Sequence, residues 1–248
     1  MGTSQSHNLK STPNWSSAKR AMTSIINGTG NSSINKAKFI SYLGSAMDNN
    51  MYRGARGRNQ RASFHGQFGL AGGRAMINLI SFISNIRENG LSSTLSLWGL
   101  SEDDRPETLR EFMDLLLKKI MDENDSTIDD AAAEYALDQL LNELLEECND
   151  MQEIEDRFRE ATDDEIHSWI INYEINYILE YSAELFQSHI FDKGGNPESI
   201  KEEIRSWLHN ELDERLGEKL SHHDLNSPEG KEFLDTLTFE IINIWRQE

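Results

Sequence analysis

From Pro106 onward, apolar residues recur at three- and four-residue steps, the spacing that gathers them on one face of a helix. In DDRPETLREFMDLLLKKIMDEN the stripe is Leu109, Phe112, Met113, Leu116, Leu117 and Ile120, with Asp104 as the cap and Pro106 near the first turn. A second helix is predicted to begin near Ser126 and to bury Leu137, Leu140, Leu141, Leu144 and Leu145, with Cys148 at its end; the short acidic segment MQEIEDRFREA follows. Thr162 and Glu165 have the spacing of a capping box, in which hydroxyl and carboxylate each satisfy a backbone N–H left free at a helix start. The long helix beyond it carries Ile166, Trp169, Ile170, Tyr173, Tyr177, Ile178 and Leu185 on more than one face, so it is expected at the centre. Gly194-Gly195 is read as its stop. Asn196-Pro197 and Ser227-Pro228 then each start a further helix, as cap and first-turn proline.

The first ninety residues are less regular. One helix is expected after Trp15, ending near Asn27-Gly28, and another from Ser33 through Phe39, Ile40 and Leu43. The stretch NNMYRGARGRNQRASFHGQFGLAGGR, about 49–74, is rich in Gly and Arg and poor in apolar residues, which predicts a mobile loop. A helix with Leu79, Phe82, Ile83 and Ile86 inward follows and ends at Asn89-Gly90. Residues 1–13 are polar and unpatterned, as in a disordered tail. The expected fold is all-α: an irregular multi-helix bundle with a flexible N-terminal tail (1–13), a basic helical region (14–90) and an acidic helical bundle (91–248).

Charge sharpens that division. Of 24 basic and 43 acidic side chains, residues 1–90 hold eleven and two, about +9, and residues 91–248 hold 13 and 41, about −28. Such asymmetry bears on partners rather than on fold. No run approaches the roughly 18 apolar residues of a membrane helix, and MGTSQSHNLKSTPNW has no apolar stretch like that of a secretory signal. The expectation is a cytoplasmic protein without a membrane partner. A single cysteine, Cys148, excludes an intramolecular disulfide and reads as a small buried hydrophobe.

Candidate chemistry is sparse. None of the seven histidines falls in a metal-ligand spacing, and His222-His223 sits in a loop-like break. The acidic pairs Asp129-Asp130, Glu146-Glu147 and Asp163-Asp164 lie near helix ends or on outer faces, where the helix dipole accounts for them. No catalytic residue, metal or cofactor is expected, and the protein reads as non-enzymatic. GLAGGR precedes a helix, but without Gly-Lys-Ser/Thr or a preceding strand it meets no nucleotide-binding fingerprint. Arg53, Arg56, Arg58, Arg61 and Arg74 have three readings: a charged loop on the acidic surface of the chain, a contact with a partner, or a nucleic-acid contact with Tyr52 or Phe64 stacking on bases. Gly2 follows the initiator Met, with Ser6 completing a myristoylation-like pattern. After Met1 is removed, its α-amine, with a pKa of about 8, is partly neutral and a usable nucleophile toward an activated carboxylate.

The MGTS start leading to Pro13 and Trp15, the segment RGARGRNQRASFHGQFG with GGRAMINLISFISNI behind it, INYILEYSAELFQSHIF and PESIKEEIRSWLHNEL together resemble the QatB family of the bacterial Qat anti-phage defence system. The resemblance implies a partner, the QueC-like ATP-dependent enzyme QatC, alongside an ATPase and a TatD-like nuclease. It also implies that Gly2 is the modification site, receiving a 7-deazaguanine as an amide. Thr3, Ser4 and Trp15 are then the partner-binding part of the tail.

Overall fold

The computed structural model describes residues 13–51, 69–121, 128–183 and 185–245, and every regular element among them is helical. Gly2, Thr3, Ser4, Arg53, Arg56, Arg58 and Arg61 lie outside the described residues. Helix α1 (Pro13–Ile26) buries Trp15, Ala18, Ala21, Met22 and Ile25 at helical spacing. It stops at Asn27-Gly28 as the sequence predicts, because Gly28 takes a left-handed φ of 59°. Asn31 Oδ1 accepts the Ile34 N–H at 3.1 Å and so caps α2 (Ser32–Met51), which runs back along α1.

Helix α3 (Leu70–Asn89) is the hub. It packs against α4 (Leu91–Leu97), α5 (Leu109–Met121), α6 (Ile128–Leu145), α7 (Met151–Arg159), α8 (Asp163–Tyr181) and α10 (Pro228–Ile244). Phe82 of α3 stacks on Trp98 with centroids 4.9 Å apart and meets the edge of Phe158 at 5.7 Å. As its all-round apolar pattern predicts, α8 is enclosed: α6 lies on one side, α9 (Pro197–Ser221) on another and α3 on a third. The α1–α2 hairpin is fastened by α1 against a π-helical turn (Leu185–Ile190) and by α2 against α9 and α10. One apolar core runs from Trp15 to Trp245, so the change of charge near residue 90 is not a break in packing. Lys36, 7% exposed, crosses it to meet Glu203 at 2.8 Å.

Four boundaries differ from expectation. Helix α5 begins at Leu109, because Thr108 and Glu111 form a capping box: Thr108 Oγ1 accepts the Glu111 N–H at 3.2 Å and Glu111 accepts those of Glu107 and Thr108. Asp104 instead ends a short 3-10 turn (Glu102–Asp104). Of the loop expected over 49–74, residues 49–51 continue α2 and residues 70–74 begin α3, while residues 52–68 lie outside the described residues. The long helix expected to reach Gly194 is α-helical only to Tyr181; the path then widens into the π-helical turn and ends at Gly194, whose φ of 76° fits the predicted stop. MQEIEDRFREA folds as α7, capped by Asp150.

Candidate functional site

The chemistry worth tracing lies where segments of the chain enter the helical body. GLAGGR is one such place. Gly69 has a φ of 92°, a conformation that favours glycine. A Cβ on Gly72 would stand 3.1 Å from the Tyr177 ring, and one on Gly73 would stand 3.0 Å from the backbone of Asp235. These glycines therefore serve close helix packing.

The N–H groups at this helix start are an anion site in physical terms, and the chain supplies the anion itself. Asp129, in the first turn of α6 and 3% exposed, accepts the Ala71 N–H through Oδ2 at 2.7 Å and the Gly69 N–H through Oδ1 at 3.1 Å. The Tyr177 hydroxyl donates to the same Oδ1, and the Gly69 N–H also reaches that hydroxyl at 2.8 Å. Burial pushes the pKa of Asp129 up, while the Tyr177 and backbone donors pull it down. Tyr173, stacked parallel to Tyr177, donates to the Gly72 carbonyl at 3.1 Å. Arg74, the fifth residue of α3 rather than part of a loop, lies 3.7 Å from Asp130. Asp129 and Asp130 are at a helix end, as read from sequence, but they are buried because they serve a second helix.

Beside this cluster, α8 places Glu174 wholly inside. Its Oε2 accepts from the Thr238 hydroxyl at 2.8 Å, and Oε1 has no hydrogen-bond partner among the described residues. Burial raises its pKa to about 8, so the carboxyl is held largely neutral at pH 7. Sequence reasoning passed over Glu174, although its place between Tyr173 and Ile175 on a helix apolar all round was the available signal.

The second place of entry is the start of α1. Trp15 is 4% exposed, so its ring belongs to the core and roots the leading residues at a set point on the body. Asn14 Nδ2 donates to the Ser45 carbonyl at 3.3 Å, which ties that root to the C-terminal half of α2. Ile242 of α10 occupies the space above Gly44, and Thr238, one turn earlier, lies 3.9 Å from where a Cβ of Gly69 would stand. The end of α2, the start of α1 and the start of α3 therefore converge on one side of α10.

Elsewhere the described residues bring together no three His, Cys, Asp or Glu side chains able to hold a metal ion. His222 ends α9 with Nδ1 2.5 Å from the Glu218 carbonyl, whereas the His223 ring stacks on Phe233. A cleft of about 350 Å³ between α3, the start of α8 and the α9–α10 connection is lined by Arg87, Asp163, Asp164, His167 and His223, with Arg87 paired to Asp163 at 3.2 Å. Cys148 is half-buried in the turn after α6, where burial raises its pKa. No described helix is long and apolar enough to cross a membrane.

No curated protein and no solved structure matches the chain. Residues 70–245, from the first residue of α3 to just beyond α10, match the family described as Qat anti-phage system associated protein QatB. The chain belongs to the QatB family, a component of the Qat anti-phage system.

Proposed function

We propose that this protein is a non-enzymatic component of Qat defence in the cytoplasm, binding the QueC-like enzyme QatC and offering it the α-amine of Gly2. The family match over residues 70–245 carries the reading. The length of the leading segment is compatible with it: eleven peptide units separate Gly2 from Pro13, so Gly2 reaches at most about 35–40 Å from a root that Trp15 holds in the core. In the proposed reaction the enzyme uses ATP to convert the carboxylate of a 7-deazaguanine into an activated acyl group. The neutral Gly2 amine attacks the acyl carbon, a C–N bond forms, the ATP-derived leaving group departs and the amine gives up a proton. Glycine suits the position because it has no side chain to obstruct entry into a narrow site, with Thr3 and Ser4 offering hydrogen bonds behind it. The Qat ATPase and TatD-like nuclease are the further partners of this assembly.

Purified QatC, ATP and a 7-carboxy-7-deazaguanine, mixed with the full chain, test the proposal. Consumption of activated substrate should require the chain in stoichiometric amounts, and a chain blocked by N-terminal acetylation should not support it. Turnover unaffected by the acetyl block would contradict the assignment.

A further inference from the structure

No acidic residue precedes Asp48 in a chain that has 43 of them. The α1–α2 hairpin up to Met47 is consequently acid-free, and it displays Arg20 and Lys38 to solvent. Along α2, Ile34, Lys38 and Tyr42 follow one another at four-residue steps and share a face. That face points outward: Ile34 is 51% exposed, Tyr42 36%, and Lys38 is exposed between them. The opposite side of α2 holds Phe39, Ile40 and Leu43 in the core. An isoleucine and a tyrosine flanking a lysine on an outer face leave apolar surface open to solvent.

From these features we infer that the Ile34–Lys38–Tyr42 face of α2 is where the QueC-like enzyme docks, against a partner surface that is acidic around an apolar centre. The inference rests on the reading that this enzyme acts on Gly2. Two observations choose this occupant. The root of the tail is tied to Ser45, three residues or about 5 Å of helix rise beyond Tyr42. A tail reaching at most about 40 Å keeps the enzyme that receives it within that distance of Pro13, and the α2 face lies next to that root. Charge selects the same face, because an acidic partner is repelled by the remaining surface, whose residues 91–248 sum to about −28. A nucleic acid fits less well: binding along a phosphate backbone draws on many cationic contacts, and this face has one lysine between two apolar side chains.

The test compares affinities of the full chain and its variants for purified QueC-like enzyme at fixed salt. The double variant Lys38→Glu/Tyr42→Ala, and separately Ile34→Glu, should bind about tenfold or more weakly while melting at the wild-type temperature. Glu214→Lys, on the exposed face of α9, should bind within about twofold of wild type. If wild type binds and is modified at Gly2 but the α2 variants bind equally well, the docking face is wrong and the proposed function stands. If wild type forms no complex at all, both fall. Loss of single-stranded DNA binding in the α2 variants, with enzyme binding intact, would assign the face to nucleic acid and overturn the inference.

Discussion

Two buried carboxylates on packed helices, both pushed up in pKa by burial, differ in what their oxygens meet. Asp129 accepts hydrogen bonds from two backbone N–H groups and a tyrosine hydroxyl, so it acts as an internal cap for α3. Asp129→Asn would set an amide donor against the Gly69 or Ala71 N–H, and should cost about 1–3 kcal/mol in urea unfolding; an unchanged midpoint would contradict the capping role. Glu174 has a carboxyl pKa raised from 4.5 to about 8. Between those values the unfolded chain loses the proton while the folded one keeps it, so this group makes stability fall as pH rises through that window. Glu174→Gln should flatten the decline, leaving the variant close to wild type near pH 4 and more stable at pH 8; parallel stability curves would refute a neutral Glu174. Glu174 could have been found from its place on a helix apolar all round, but Asp129 was not legible as a buried group, because its burial depends on Gly69 and Tyr177, 60 and 48 residues away.

Helix starts were the most legible elements, because capping is local chemistry. Thr162–Glu165, Asn196-Pro197 and Ser227-Pro228 all cap the helices they predict. Asp104-Pro106 misled for the same reason that these succeeded: the true box, Thr108–Glu111, begins two residues after Pro106 and satisfies more N–H groups. Short α4 escaped notice, since the seven residues LSSTLSL offer less than two full apolar turns and bury Leu91, Thr94 and Leu95 against their neighbours. The family resemblance puts Trp15 in the partner-binding part of the tail, yet the core takes its ring. Close helix approach is equally invisible along the chain. A Cβ on Gly44 would fall 1.8 Å from Ile242 Cγ2, where α2 meets α10. Gly44→Ala should therefore cost about 1–3 kcal/mol despite its better helix propensity. A gain in thermal stability would show that this crossing yields more readily than the packing implies.

At the scale of the whole molecule, fold class and charge layout were legible, and the way they combine was not. The basic beginning of the chain is stitched to the acidic remainder by Lys36–Glu203, by the His189 ring 3.0 Å from the Lys19 carbonyl and by the seat of Ile242 over Gly44. What emerges is a helical body of the QatB family whose α1 root sits beside an acid-free helix face. The central claim is that another enzyme acts on Gly2 held out from that root. Mass spectrometry of the N-terminal peptide after co-expression with active QueC-like enzyme tests it most directly. The predicted result is a deazaguanine amide on the α-amine of Gly2, lost when the enzyme cannot use ATP; an unmodified Gly2 under active conditions, or an adduct on another residue, would contradict it.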